Sequence, residues 1–202
     1  MDTDITAVHV DDVAYELSLA KRFTDQLGFL TRDAVEHYAM RGGVLRAREN
    51  EEPAGFLVFV STKGDQPRVA QIYQAAVQLD AQRRKHGLAL VDQACQLSRS
   101  SGAHLMQCWC ASDLEANEFW LAAGFTNCGD RPGGRRRRRR HYLWQMALTS
   151  SYALQKPNPV SHAAPGSTQV TLFDHLDLPQ LTLGERLAFG QSGGIHAAKR
   201  SR

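Results

Sequence analysis

The stretch that most constrains how this chain can fold is Arg84-Lys85-His86-Gly87-Leu88-Ala89. Before it, Val69 to Leu79 reads as a strand, with Gln71, Tyr73, Ala75, Val77 and Leu79 on one face. After it, Leu88 to Ser101 carries Leu88, Val91, Ala94, Cys95 and Leu97/Ser98 at helical spacing. A strand, a basic glycine-containing turn and a helix together suit a phosphate. The first amides of a helix have no intrahelical acceptor, and the helix dipole favours an anion there. Gly87 permits close backbone approach, while Arg83, Arg84 and Lys85 add positive charge. The hexapeptide alone is equally compatible with an ordinary turn bearing a solvated basic cluster, because short glycine motifs recur by chance.

The order of the neighbouring elements narrows the choice. Ile5 to Val10 reads as a strand. A helix follows with Tyr15, Leu19, Phe23 and Leu27 on one face, Asp11 or Asp12 as its cap and Gly28 as its stop. Thr31 caps a second helix through Met40. Val44–Arg48 and Ala54–Val60 form a hairpin across residues 49–53, and residues 63–67 turn into the strand before the basic turn. Beyond the long helix come a strand over His104–Cys110 and a helix through Ala123 capped by Ser112 or Asp113. The last strands are Phe125–Cys128 and Tyr142–Leu148.

The motif R-x-x-G-x-A at Arg84, Gly87 and Ala89 resembles the acetyl-coenzyme A loop of the GNAT N-acetyltransferase superfamily. A second landmark, Ala116-Asn117-Glu118-Phe119-Trp120-Leu121-Ala122-Ala123-Gly124-Phe125, is similar to that family's helix ending in Gly-Phe. The resemblance covers residues 3–149 and implies an α/β fold, a mixed central sheet flanked by helices. It also implies acetyl-CoA as cofactor and an amine as acetyl acceptor. Backbone near Val77 and Leu79 is then expected beside the pantetheine arm. Arg84, Lys85, His86, Gly87, Leu88 and Ala89 are expected at the pyrophosphate. Many family members place a tyrosine four residues before the glycine that ends the helix, where its hydroxyl can protonate the departing thiolate. This chain has Trp120 there, and an indole N–H is no useful acid. Seven residues earlier, where the family often has an asparagine touching coenzyme A, stands Asp113. Tyr73 is an alternative acid, and solvent is another. Candidates for the base are Tyr73, Gln71 and Gln74 with Glu36, His37 and Tyr38, or a water relay to a carboxylate.

Charge distribution separates the chain further. Residues 1–149 carry 19 Lys and Arg against 18 Asp and Glu, yet six of those cations form the run Arg135, Arg136, Arg137, Arg138, Arg139 and Arg140. The rest of that segment is therefore net acidic, and positive charge is concentrated in one loop. Such a run is usually solvated. Next to an acceptor site it favours a polyanion, either DNA or an aminoacyl-tRNA. No apolar run reaches membrane-spanning length, the N-terminus is acidic, and four scattered cysteines suit buried reduced thiols, so a cytoplasmic protein is expected.

From residue 150 on, Pro157, Pro159, Pro165, Gly166 and Pro179, with Ser and His between them, give no sustained periodicity. Residues 1–149 are accordingly expected to form the acetyltransferase domain and 150–202 a disordered tail. Within that tail, Gln169-Val170-Thr171-Leu172-Phe173 resembles the Q-x-x-L-F peptide by which bacterial proteins dock on the DNA sliding clamp. Gln169 would set the register, and Leu172 and Phe173 would fill an apolar pocket. Two functions stay open: an acetyl-CoA-dependent N-acetyltransferase, or a degenerate domain of the same fold that serves as a DNA- or clamp-associated binding module.

Overall fold

The computed structural model describes residues 3–61, 69–133 and 139–149. Its elements in chain order are β1 (Thr3–Ala7), α1 (Ala14–Arg22), α2 (Thr24–Leu27), α3 (Arg32–Ala39), β2 (Val44–Glu49), β3 (Glu52–Ser61), β4 (Val69–Val77), α4 (His86–Ser100), β5 (Leu105–Ala111), α5 (Ala116–Ala122), β6 (Thr126–Pro132) and β7 (Arg140–Ala147). The strands form a mixed seven-stranded sheet in the order β1-β2-β3-β4-β5-β7-β6, flanked by helices, as expected. Two compact units result, Met1–Ser61 with Ile72–Ser100 and Thr62–Gln71 with Ser101–Arg202.

In the first unit β2 and β3 are buried over consecutive residues instead of alternating, because helices cover both faces. Val44, Phe56 and Val58 pack with Val13, Leu19, Ala20, Val35 and Ala39 from the α1 and α3 side. Leu45, Ala47 and Leu57 point the other way by alternation, toward the buried Leu90, Val91, Ala94 and Cys95 stripe of α4. Arg46 lies on the α1 face. Its guanidinium donates to both Glu16 carboxylate oxygens, at 2.7 and 2.9 Å, and to the Asp12 carboxylate at 2.8 Å. These bonds hold the Asp12 carboxyl below its ordinary range.

Several boundaries differ from the expected ones, each for a local reason. Neither Asp11 nor Asp12 caps α1: the N-cap is Val13, and Asp12 is engaged by Arg46. The first helix breaks at Phe23, where Thr24 turns its hydroxyl back to the Lys21 carbonyl at 2.7 Å. Thr31 does cap α3, accepting from the Ala34 amide at 3.2 Å. The β2–β3 connection tightens to Asn50 and Glu51, both at positive φ, as two-residue hairpin turns require. The strand expected through Leu79 ends at Val77. The Gln78 amide makes the last bond to β3, at the Ala54 carbonyl, and Leu79–Ala81 then winds into a 3-10 turn.

In the second unit β7 pairs with both β5 and β6, antiparallel, with a bulge between Asn127 and Gly129. Ser112 and Asp113 do not cap α5, which starts after Glu115. Asn117 organises that end instead, donating to the Ala111 and Leu114 carbonyls at 2.8 and 2.7 Å while accepting from the Trp144 indole at 2.9 Å. The final hairpin is longer than expected, reaching Pro132 on β6 and starting at Arg140 on β7. All four cysteines are buried, and burial pushes the Cys95 and Cys110 thiols up to about 12. No helix among the described residues is long and apolar enough to cross a membrane.

Candidate cofactor and acceptor sites

The turn between β4 and α4 has the conformation that its sequence suggests. Arg83 and Lys85 both take positive φ, 63° and 71°, which non-glycine residues adopt only against a steric cost. The first intrahelical bond runs from the Ala89 amide to the Lys85 carbonyl at 3.0 Å. The His86, Gly87 and Leu88 amides therefore belong to the helix's unsatisfied first turn. Left-handed residues ahead of a helix N-terminus make a concavity of amides that binds anions. Arg83, Arg84 and Lys85 are exposed around it. Leu79 and Leu88 flank it with 67% and 45% of their surfaces exposed. A basic, amide-rich turn with apolar shoulders fits a molecule that joins a phosphate to an apolar arm.

Two contacts that the sequence reading missed hold this turn in place. Glu49, the last residue of β2, accepts from Arg84 at 2.7 Å and lies 3.7 Å from Nε2 of His86. Thr3, the cross-strand partner of Glu49, places its hydroxyl 3.0 Å from His86 Nδ1. His86, expected at the pyrophosphate, turns its ring inward, 2% exposed, and can offer only its amide to a ligand. The end of the β1–β2 ladder thus grips the first residue of α4. Sequence spacing places Glu49 in a hairpin turn, whereas it closes β2, and that hides its contact with Arg84 and His86.

Val77 closes β4, partly buried, and Leu79 lies past the strand on the 3-10 turn. Tyr73 on the same strand stacks on Tyr38 of α3, ring centroids 5.3 Å apart. Burial, followed by the neighbouring Tyr38, pushes Tyr73 up to about 12. Its hydroxyl is protonated near neutrality, as any tyrosine is, and the upward shift makes it a weaker acid than an exposed tyrosine. Among the other base candidates, Glu36 pairs with Arg32, and Gln74 donates to the Leu27 carbonyl.

In the second unit Trp120 is 7% exposed and packs edge-on against Phe119 and Phe125, its indole hydrogen-bonded to the Cys110 thiol. Asp113 accepts from Arg139 at 2.9 and 3.0 Å, and Arg140 is held by Asp130. Two arginines of the run are thus engaged within the protein. Arg135 to Arg138 lie outside the described residues, as do Gln169, Leu172 and Phe173. Gln71, another base candidate, is buried and accepts from Gln107 at 3.2 Å.

The acetyltransferase (GNAT) family matches residues 12–125, more than half of the chain. The protein belongs to the GNAT acetyltransferase family. Its fold is that of Ard1 from Thermoplasma volcanium, with TM-score 0.65 at 18% identity, covering 74% of this chain and 99% of that one. Acetyl-CoA-bound yncA of Salmonella typhimurium gives 0.60 at 16% identity, over 73% and 94% of the two chains. N-acetylglutamate synthase of Neisseria gonorrhoeae, solved with coenzyme A and N-acetyl-glutamate, gives 0.61 at 15%, covering 74% of this chain and 36% of that one. No curated protein matches. Acetyl-CoA is the expected cofactor of this GNAT chain.

Proposed function

We propose that the protein is an acetyl-CoA-dependent N-acetyltransferase whose catalytic domain spans residues 1–149 and whose cofactor is held by the β4–α4 turn. The observation that carries this reading is the left-handed pair Arg83 and Lys85 leading into the α4 N-terminus, clamped by Glu49 and Thr3. Acetyl-CoA supplies an acetyl thioester, an acyl group activated toward amines. The amides of His86, Gly87 and Leu88, with the Lys85 side chain, would hold its pyrophosphate, while the Ala89 amide is already bonded to the Lys85 carbonyl. Backbone near Val77 and the Leu79 side chain would flank its apolar arm, and Asp113, at the sequence position where the family often has an asparagine, is a further candidate contact. Tyr73 is the acid this reading favours because it is the phenol on β4 and the Trp120 indole cannot release a proton, although burial makes Tyr73 a weaker acid than an exposed tyrosine. Replacing Gly87 with Glu puts a carboxylate against the phosphates. Calorimetry should then show coenzyme A binding lost while circular dichroism is unchanged; retained affinity would remove the cofactor assignment.

Two finer readings rest on sequence. A polyanionic partner, DNA or tRNA, is supported by the arginine run, though Arg139 and Arg140 already have carboxylate partners. Changing Arg135–Arg140 to serine should weaken nucleic-acid binding and flatten its salt dependence; an unaltered salt slope defeats the idea. Clamp docking through Gln169, Leu172 and Phe173 predicts that a peptide of residues 167–178 binds a bacterial sliding clamp. Its Leu172→Ala/Phe173→Ala version should not, and equal behaviour of the two peptides rejects the motif. If coenzyme A binds without thioester turnover, the binding-module alternative replaces catalysis.

A further inference from the structure

Where the end of the β1–β2 ladder meets the first residue of α4, two buried polar groups meet without a hydrogen bond between them. Nε2 of His86 and Oε1 of Glu49 have no hydrogen-bond partner among the described residues. The same ring nitrogen lies 3.7 Å from the other carboxylate oxygen, Glu49 Oε2, and the two side chains are 1% and 11% exposed. Oε2 accepts from Arg84 at 2.7 Å. On the other side of the ring, Nδ1 lies 3.0 Å from the Thr3 hydroxyl.

This arrangement is one proton short of being fully bonded. The Thr3 hydroxyl donates or accepts by rotating, so it serves Nδ1 whether or not that nitrogen carries hydrogen. Glu49 only accepts, and a ring with hydrogen on both nitrogens would satisfy both neighbours at once. The positive charge around the ring opposes that second proton. His86 stands at the N-terminal, positive end of α4, Arg84 already pairs with Glu49, and Arg83 and Lys85 are exposed beside it. The strands packed against α4 are β1, β2 and β3. Asp4 and Arg48, the next pair along β1–β2, point to the opposite face by alternation. On β3, Glu52 is the exposed cross-strand partner of Glu49. The 3-10 turn carries the exposed Asp80, and α4 itself has no ionisable group between His86 and Asp92.

We propose that coenzyme A binding draws a proton from solvent onto the His86–Glu49 pair, so that cofactor affinity rises as pH falls. A pyrophosphate at the His86, Gly87 and Leu88 amides sets negative charge against the very residue that carries the ring, and this offsets the helix dipole and the neighbouring cations together. The incoming proton leaves both ring nitrogens as donors. An Nε2–H bond to Oε1 then satisfies both unpartnered atoms, and its ionic character strengthens it. Linkage fixes the sign. A complex that holds more protons than its components forms more readily at lower pH, by at most about tenfold per pH unit for one proton. Glu49 and Thr3 are in this sense positioning residues that act on the cofactor through His86. The inference rests on the β4–α4 turn holding coenzyme A, as proposed above.

Calorimetry of the full chain with dephospho-coenzyme A counts the protons. This ligand keeps the pyrophosphate but lacks the phosphomonoester, whose own ionisation near ~6 would blur the count. Titrations near neutral pH in buffers of different ionisation enthalpy should show uptake of roughly half a proton per ligand bound. Affinity should correspondingly rise roughly threefold for each unit by which pH is lowered through that range. In His86→Gln the uptake and the pH dependence should both vanish. In Glu49→Gln, which removes the counter-charge and keeps the shape, uptake should fall well below that of wild type. A purely structural role for either side chain would weaken binding without altering the proton count. The inference is overturned if wild type binds the ligand with no uptake between about pH 6 and 8, or if His86→Gln takes up as many protons as wild type. Should His86→Gln fail to fold or to bind, Glu49→Gln decides, and an uptake equal to wild type's overturns the inference. Binding without uptake sinks only the proton linkage, whereas a wild type that binds neither dephospho-coenzyme A nor coenzyme A sinks the cofactor assignment and this inference with it.

Discussion

Removing Glu16 tests how the first unit is held together. Its carboxylate is fully buried and accepts from Nε and Nη2 of Arg46 at 2.7 and 2.9 Å, and the Arg46 side chain is only 5% exposed. In Glu16→Leu the guanidinium keeps the Asp12 carboxylate and carbonyl, at 2.8 and 2.6 Å, but loses its buried counter-charge. Breaking a buried pair from one side costs about 3–5 kcal/mol, and the surviving Asp12 bonds place the expectation near ~3 kcal/mol. For a chain of this size that loss lowers Tm by about 6–12 °C. The assay is urea and thermal unfolding followed by circular dichroism. Arg46→Met should lose a similar amount, because it strands Glu16. The double variant Glu16→Leu/Arg46→Met should recover to within ~1 kcal/mol of wild type, since an apolar pair of similar volume avoids the desolvation of both charges. The reasoning fails if Glu16→Leu costs less than ~1 kcal/mol, or if the double variant loses the sum of the two singles.

Two further predictions concern the cofactor turn and the β7 histidine. Lys85→Gly removes a side chain from a left-handed position, so stability should rise by about 0.5 kcal/mol in urea unfolding while coenzyme A affinity falls for want of a cation; a loss of stability refutes the strain argument. Burial, and then the Arg131 and Arg139 charges, hold His141 below its ordinary 6.5, so the unfolded chain binds the proton more readily. Stability present above pH 6.5 should thus be lost as pH falls from there toward the folded value, and His141→Gln should lose less than wild type between pH 7.5 and 5.5.

What could be read from sequence was whatever short-range pattern determines. The strand, basic turn and helix around Gly87, and the Thr31 cap, depend on residues a few positions apart, and both were legible. The failures share one cause: a polar residue suited to a local task was taken by a distant partner. Asp12 has the spacing of a cap but is held by Arg46, 34 positions away, and Asp113 by Arg139, 26 positions away. Glu49 reads as a solvated turn residue until Arg84 and His86 come to it across 35 and 37 positions. Strand β4 stops at Val77, where the Gln78 side chain and not a further backbone amide takes the Pro53 carbonyl of β3, which no feature of residues 77–79 announces.

The glutamines of the second unit bear on how the chain finds its pairing. Gln145 donates to Gln107 and Gln107 to Gln71, each at 3.2 Å, in a buried amide ladder. β5 is otherwise so apolar on both faces, with Leu105 and Trp109 on one and Met106, Cys108 and Cys110 on the other, that hydrophobicity alone scarcely distinguishes its two orientations. Slipping it by one residue would carry Gln107 to the opposite face, beside Met106 and Cys108 positions, and strand two amides without acceptors. The ladder therefore works as a register check applied late, between segments 36 and 38 residues apart that have to meet before any of the three amides is satisfied. Collapse into a mispaired sheet remains reversible until that test is met, at the expense of slower folding.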